Sequence, residues 1–395
     1  MKIAIVTPHF FNPSGIGTMC SNLASELVKK ENMVEVFTFV IPERYRFNVL
    51  SSGVKVYAIR NMYAETLNLS QQRHELNLIT WIQTKLYRFL TLLNIFKSMI
   101  SRLPLSDVIH INGYTDLTIV GFLIGKIFNK PIILSFHGTD VWYYKKTFFD
   151  LFKRIVLHVN RITCVSKCLQ DKLLNDTGAR SDVIPPMISD CFLSQRGKRS
   201  NFLKQEFSAD RILLSVKGLI PIYGHELLIR SLPDVLKKYP NLRLVLTGEG
   251  PLLEKLKRLV VTLCIKNNVV FAGFKSHEKL VDFYASSDIY VLSSKLESRA
   301  NVVLESLLCG TPVITTNNPA GIELDNQYHG DVTLIREDTS QVLADTILKI
   351  LDEDRKVKKS TIAKISNELN TRVVTQKFYD IYRNVADMEA KKYGT

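Results

Sequence analysis

Short β-branched runs recur along this chain, each separated from the next by a segment of helical length. No other feature constrains the fold as much. In the first half the runs are "KIAIVTP", "VEVFTF", "VKVYAI", "VIHIN", "PIILSFHG" and "RITCVS". In the second they are "RILLSV", "LRLVLTG", "VVFAGF", "IYVLSS" and "PVITT". Strands alternating with helices imply right-handed crossovers and parallel sheets covered on both faces. Two such series predict an α/β protein of two doubly wound, Rossmann-like domains. Between the series, "IPPMISDCFLSQRGKRSNFLKQEFSAD" carries Pro-Pro and a basic cluster with little apolar periodicity, which predicts a linker. The expected division is a first domain over 1–185, a linker over 186–210, a second domain over 211–365 and a helical segment over 366–395 that can pack back on the first domain. Ligands of such folds bind outside the carboxyl ends of the strands, so two facing domains would hold the site in a cleft between them.

At 395 residues the chain exceeds one ordinary core, in keeping with two domains. A hydrophobic content of 46% with 23% charged residues excludes wholesale disorder. The net charge of +14 is unevenly placed: residues 1–200 hold 25 Lys+Arg against 14 Asp+Glu. A basic half points to an anionic neighbour, whether a lipid surface, a phosphorylated ligand or nucleic acid. No recognition motif or aromatic–basic interleaving supports nucleic acid. The six cysteines form no C-x-x-C pair and no zinc spacing, and are expected as reduced core residues of a cytosolic protein. "MKIAIVTPHFF" reads as a strand and turn rather than a signal peptide, and no window offers about 18 uninterrupted apolar residues, so no spanning helix is expected.

One stretch departs from the alternation. In "KLYRFLTLLNIFKSMISRL", 85–103, the polar residues Arg88, Thr91, Asn94, Ser98, Ser101 and Arg102 gather on one helical face, and apolar residues fill most of the rest. Two readings stand: a basic amphipathic helix lying on an anionic membrane, or a helix buried in the first domain with one wet side.

Four sets of residues carry candidate chemistry. Gly15 and Gly17 follow the first strand and are expected just before a helix with apolar spacing at Met19, Leu23 and Leu27. Glycines at such a turn let backbone N–H groups approach a phosphate, although a lone G-x-G is usually only a tight turn. The third glycine of a dinucleotide fingerprint is absent, which disfavours a nicotinamide dehydrogenase. His137 stands at the carboxyl end of "PIILSF", where ligand-contacting side chains cluster. Gly248 and Gly250 close "LRLVLTG" before another helix. Finally, "LESRANVVLESLLCGTPVI" places Glu297 before a helix and Glu305 inside it. These carboxylates either complement a helix dipole and solvate a surface, or hold hydroxyl groups of a ligand.

In this order the segments identify a resemblance that covers essentially the whole chain. The E-x7-E pair of Glu297 and Glu305, with "SFHGTD", "TGEGPLLEKL" and "VVFAGFKSHEKLVDFYASSDIYVLSS", resembles the family-4 retaining glycosyltransferases (glycosyl transferases group 1) of the GT-B fold. The resemblance implies transfer of a sugar from a UDP- or GDP-linked donor to a glycan or lipid-linked acceptor, in polysaccharide, glycolipid or glycoprotein glycan biosynthesis. It implies that Glu297 lies beside the donor sugar, that Glu305 accepts from the ribose hydroxyls, and that backbone N–H groups from Ser298 to Val302, including Arg299 and Asn301, meet the diphosphate. His137 would lie near the transferred sugar, and Gly15 and Gly17 near the diphosphate and acceptor. His137 and Glu297 are thus the catalytic candidates; Gly15, Gly17, Lys217, Gly248, Glu297, Ser298, Arg299, Asn301, Val302 and Glu305 are the donor-binding ones.

Two departures qualify that expectation. The family pattern "G-R-L-x-x-x-K-G" supplies an arginine and a lysine that neutralise the leaving diphosphate. Here "SVKGLIPIYGHELLI" puts Gly218 in the arginine's place and Tyr223 in the lysine's. Such clamps supply several kcal/mol in a transition state, roughly, and the candidate replacements are Lys217 and Arg299. Lys217 would point away if the strand continued through it and could reach the site if the strand had ended. "ESRAN" also replaces a glycine-rich run. The departures motivate two rivals: a nucleotide-sugar-binding subunit without turnover, and a GT-B epimerase. "LDEDRK" at 351–356 contains Asp-x-Asp but reads as a solvated, Lys-rich helical surface, so no metal or other cofactor is expected. The expected location is cytoplasmic, with peripheral contact to an anionic membrane.

Overall fold

A computed structural model describes residues 1–8, 10, 15–39, 53–61, 78–142 and 149–393. It divides into two compact units, 1–186 with 374–395, and 187–373.

The first unit holds a seven-stranded parallel sheet: β1 (Lys2–Val6), β2 (Met33–Phe39), β3 (Lys55–Ile59), β4 (Val108–Asn112), β5 (Ile132–Phe136), β6 (Arg161–Cys164) and β7 (Asp182–Val183). Its spatial order is β3-β2-β1-β4-β5-β6-β7. The second holds six parallel strands, β8 (Arg211–Val216), β9 (Leu242–Thr247), β10 (Val269–Gly273), β11 (Ile289–Leu292), β12 (Val313–Thr315) and β13 (Val332–Leu334), ordered β10-β9-β8-β11-β12-β13. Each order reverses at its first strand, so the topological switch points lie between β1 and β4 and between β8 and β11.

Alternation along β8 shows how both faces of the second sheet are filled. Ile212 and Leu214 enter one apolar core with Val245, Tyr290 and Leu292; Leu213 enters the other with Leu244, Leu246 and Val291. Side chains of a strand alternate with period two, so a strand covered by helices on both sides needs apolar residues at every position. Residues 186–210, expected as a linker, are instead largely part of the second unit. They carry the short helices Asp190–Ser194 and Phe202–Glu206, whose Phe192 and Leu203 are buried in its core. The helix Thr371–Tyr393 contributes Val374 onward to the first unit.

That helix ties the first unit together through a buried polar chain. The Tyr382 hydroxyl lies 2.7 Å from His110 Nδ1, His110 Nε2 lies 2.6 Å from Ser135 Oγ, and Ser135 Oγ lies 2.6 Å from Thr163 Oγ1. Each ring nitrogen of a neutral imidazole thus has one partner, one donating and one accepting. Burial first, and His137 second, push His110 down to about 3 from its ordinary 6.5. The unfolded chain therefore takes up a proton at this site that the folded chain refuses. Stability from His110 is fully present above pH 6.5 and is lost as pH falls toward 3. Between pH 6.5 and 4 the wild type should lose about 3 kcal/mol more than His110→Gln does, read from urea melts at each pH. Parallel acid limbs in the two proteins would contradict this.

The cysteines are free. Cys20, Cys164 and Cys309 are buried, whereas Cys264 is exposed and so departs from the core role expected of it.

Candidate functional site

The carboxyl ends of β8 and β11, at the second switch point, bring together the residues that the motif placed eighty positions apart in sequence. β8 ends at Val216, so Lys217 leaves the strand's alternation and turns toward the loop after β11. Its Nζ lies 2.5 Å from Glu297 Oε1 and 4.8 Å from the centre of the Tyr223 ring. An ammonium over an aromatic face is held by the ring's quadrupole, so Tyr223 orients a cation in place of carrying one. Glu297 Oε1 is buried and receives no aligned hydrogen-bond donor; its contact with Lys217 is an ion pair only. A buried carboxylate oxygen with unused accepting capacity is suited to a hydroxyl donor.

Glu305 sits in the middle of the helix Asn301–Leu308 and is buried. Its Oε2 accepts from the Tyr284 hydroxyl at 3.1 Å. Burial raises its pKa above the ordinary 4.5, while His277, Tyr284 and Lys217 pull it back down. No side chain caps the start of this helix, where Ala300 precedes Asn301 and Val302. The first N–H groups of a helix have no partner inside it, and together with the dipole they favour an anion there. Ser298 is buried in the turn before it.

Arg299 does not join this group. Its Nη1 lies 3.4 Å from Glu323 Oε1 and 3.4 Å from Gln327 Oε1, both on the helix Pro319–Gln327. Of the two candidate cations, the geometry gathers Lys217 with the glutamates and commits Arg299 elsewhere. Gly218 is not sterically imposed: a Cβ there would meet only Glu249 O at 3.5 Å and a Tyr223 ring carbon at 3.8 Å. Gly248 is. With φ at +118°, a Cβ would fall 2.2 Å from Lys217 O, so this glycine lets the turn after β9 close on the backbone that carries Lys217. The structure thus gives Gly248 a packing role.

In the first unit His137 follows β5 directly. Its Nε2 lies 3.0 Å from Asn112 Oδ1 at the end of β4, and Asn112 Nδ2 is buried without a hydrogen-bond partner. The Asp140 carboxylate accepts from the backbone N–H groups of His137 and Gly138, at 3.1 and 2.7 Å, and fixes the turn that presents the imidazole. Burial pushes Asp140 up to about 6, against the backbone N–H groups of Gly138, His137, Asp140 and Val141. Gly15 and Gly17 do not precede the first helix as expected; they form the first turn of Gly15–Lys29, with Gly17 buried. Of the preceding turn, His9 and residues 11–14 lie outside the described residues.

Three supporting residues escaped the sequence reading. Tyr284 and Asp140 stand inside the segments that carry the family resemblance, which was the available signal; Asn112, at the end of the strand beside the His137 strand, carried none. The Asp-x-Asp of 351–356 splits into ion pairs, Asp352 with Lys238 at 2.6 Å and Asp354 with Arg211 and Lys356 at 3.3 and 3.0 Å. Among the described residues no group of three or more His, Cys, Asp or Glu is arranged to hold a metal.

A family model described as "Glycosyl transferases group 1" matches residues 198–366, and one described as "Glycosyltransferase Family 4" matches 13–190. The chain belongs to this glycosyltransferase family. Among its relatives, this glycosyltransferase is 27% identical over 339 residues to an uncharacterized glycosyltransferase of Methanocaldococcus jannaschii, covering 80% of each chain. It is 25% identical to the alpha-monoglucosyldiacylglycerol synthase of Streptococcus pneumoniae, over 81% of this chain and 72% of that protein. Its fold is that of GT-B glycosyltransferases. The Anabaena protein HepE, solved in complex with UDP and glucose, superposes with a TM-score of 0.76 at 17% identity, covering 97% of this chain and 100% of that one. The sucrose-phosphate synthase of Thermosynechococcus elongatus does so with a TM-score of 0.76 at 17% identity, over 98% and 99%.

Proposed function

We propose that this glycosyltransferase moves a sugar from a UDP- or GDP-linked donor to a hydroxyl of a glycan or lipid-linked acceptor, with retention at the anomeric carbon, in the cytoplasm. The observation that carries the reading is the grouping of Lys217, Glu297 and Glu305 at the β8/β11 switch point. Glu305 would accept from the ribose diol, and Lys217 with the N–H groups around Asn301 and Val302 would hold the diphosphate. Glu297 would bind hydroxyls of the transferred sugar. The bond from the anomeric carbon to the phosphate oxygen breaks toward an oxocarbenium-like state. The acceptor oxygen bonds to that carbon on the same face, and its proton passes to the departing phosphate. The protein then supplies position and charge, and no protein nucleophile or metal enters the scheme. Two relatives bear names that fit a lipid acceptor: the pneumococcal diacylglycerol enzyme, and a phosphatidylinositol monomannoside mannosyltransferase of Mycolicibacterium smegmatis that is GDP-mannose-dependent.

The deciding experiment is calorimetric titration with UDP, GDP and ADP, followed by incubation of the matching nucleotide sugar with candidate acceptors and assignment of the product anomer by NMR. Selective binding of one nucleotide and an unchanged anomeric configuration are expected. Product of inverted configuration would end the retaining reading. Binding without turnover on any acceptor would favour the non-catalytic subunit suggested by Gly218 and Tyr223, and conversion of the donor without acceptor would favour the epimerase.

A further inference from the structure

The helix Leu78–Ile100 packs one side into the first unit, as the second of its two sequence readings has it, and leaves apolar residues outside. The polar residues of 85–103 divide: Asn94 and Ser101 are exposed, whereas Thr91 and Arg88 turn inward. Thr91 is 0% exposed, Ile95 and Met99 enter the first unit's core, and Arg88 pairs at 3.0 Å with Asp116 in the first turn of the helix Asp116–Ile127. The ion pair and Thr91 draw part of the polar edge inward, and an apolar edge is left outside.

That outer edge is a continuous stripe. Leu86, Phe89, Leu93 and Phe96 are all exposed, Phe89 by 58%, and their spacing of three, four and three residues sets them on one face of a helix of 3.6 residues per turn. By the same geometry Lys85 and Lys97, both exposed, fall at the two margins of the stripe. The neighbouring helix Asp116–Ile127, which packs against it, adds exposed Leu123 and Ile127, the latter 65% exposed, with Phe128 just beyond. Lys126 stands beside them, 5.8 Å over the Phe122 ring. Between residues 78 and 105 the sequence holds four Lys and Arg and no Asp or Glu. Apolar patches of this extent on a soluble protein mark interaction sites, and an apolar stripe margined by lysine is the pattern of helices that lie in a lipid interface.

We propose that this face of the first unit docks on the surface of an anionic lipid bilayer, with Leu86, Phe89, Leu93 and Phe96 entering the acyl boundary and Lys85, Lys97 and Lys126 meeting the headgroups. The occupant follows from charge. A protein partner would need acidic groups around an apolar centre, whereas an anionic bilayer offers both over any area, and the residues from 78 to 105 and Lys126 supply cations with no carboxylate among them. The helix lies on the surface, not through it: one side is part of the unit's core, and no described helix is long and apolar enough to cross a membrane. The inference goes beyond the transfer reaction and does not depend on it.

The test is flotation of the full chain with vesicles of phosphatidylcholine alone and of phosphatidylcholine with added phosphatidylglycerol. The protein should float with the anionic vesicles and be released by high salt. Phe89→Ser with Phe96→Ser should lower the partition coefficient about tenfold or more. Lys85→Gln with Lys97→Gln should lower it by about tenfold on anionic vesicles and leave neutral ones unaffected. Val261→Ser, at an exposed apolar position of the second unit, should change nothing. Because every substituted residue is exposed, thermal unfolding and nucleotide titration should match the wild type, which separates lost docking from lost folding or lost donor binding. Equal flotation of wild type and the Phe89/Phe96 variant would overturn the proposal. So would a concentration-dependent dimer that those two substitutions abolish while vesicles bind neither protein, since the face would then belong to a second copy of the chain.

Discussion

Glu305→Gln is expected to weaken binding of the preferred nucleotide by about a hundredfold and to leave the protein as stable as before, or more so. The two effects share one cause. Glu305 is buried, accepts from the Tyr284 hydroxyl, and has its pKa raised by that burial, so the folded state bears a cost for keeping it ionised. Glutamine keeps the shape and an acceptor for Tyr284 but removes the charge and that cost. Two hydrogen bonds from ribose hydroxyls to a carboxylate are worth about 1.5–3 kcal/mol each, and a neutral amide recovers about half of that. Calorimetry with the nucleotide and a thermal melt of the same samples give both numbers. A fall in melting temperature with unchanged affinity would make Glu305 a structural residue and remove it from the site. The wild type carries its own check. The ligand needs the carboxylate, so affinity should decline with acidification at a pH above that of an ordinary carboxylate of 4.5.

Lys217→Met should lower the rate of transfer by roughly a hundred- to a thousandfold, the usual effect of losing one charge that stabilises a departing group. Affinity should fall far more for the nucleoside diphosphate than for the nucleoside, because the lost contact is to phosphate. The substitution also strands Glu297, whose Oε1 is already without an aligned donor, so a loss of stability of about 1–3 kcal/mol is expected with it. Arg299→Met is the control. It breaks the contacts with Glu323 and Gln327, so its effect should appear in stability, with the discrimination between diphosphate and nucleoside kept. If Arg299→Met abolishes diphosphate discrimination and Lys217→Met does not, the roles given to the two cations are reversed. Measuring both variants with UDP, GDP and the corresponding nucleosides decides it.

The strands were legible because parallel strands covered on both faces are apolar at nearly every position, as in "VIHIN" and "PIILSF", whose residues are all buried. β7 and β13 were missed because two or three residues establish no pattern. The glutamate pair could be found because its spacing belongs to one loop and one helix. Lys217 could be named only as a candidate, since the side it faces depends on where β8 stops, and a one-residue difference sends a side chain to the other face. Asn112 was invisible because it reaches His137 through the register of β4 with β5, in which Asn112 pairs with Ser135. The helix at 78–100 was left with two readings for a related reason. Periodicity finds a boundary between polar and apolar faces but not which of them packs, and here one ion pair and a buried threonine decide it.

The bond between Tyr382 and His110 joins residues 272 positions apart, and the second unit is synthesised in the interval. During growth on the ribosome the first sheet can assemble early, but one nitrogen of its central imidazole must wait for the helix Thr371–Tyr393 to emerge. Until then the nascent first unit holds a partnerless ring nitrogen beneath its sheet, where water or a proton would serve it better than the fold does. A late step thus closes the first unit: the helix Thr371–Tyr393 locks a half that was translated before it, and a chain that stops short of Tyr382 has every described strand of both sheets and no latch.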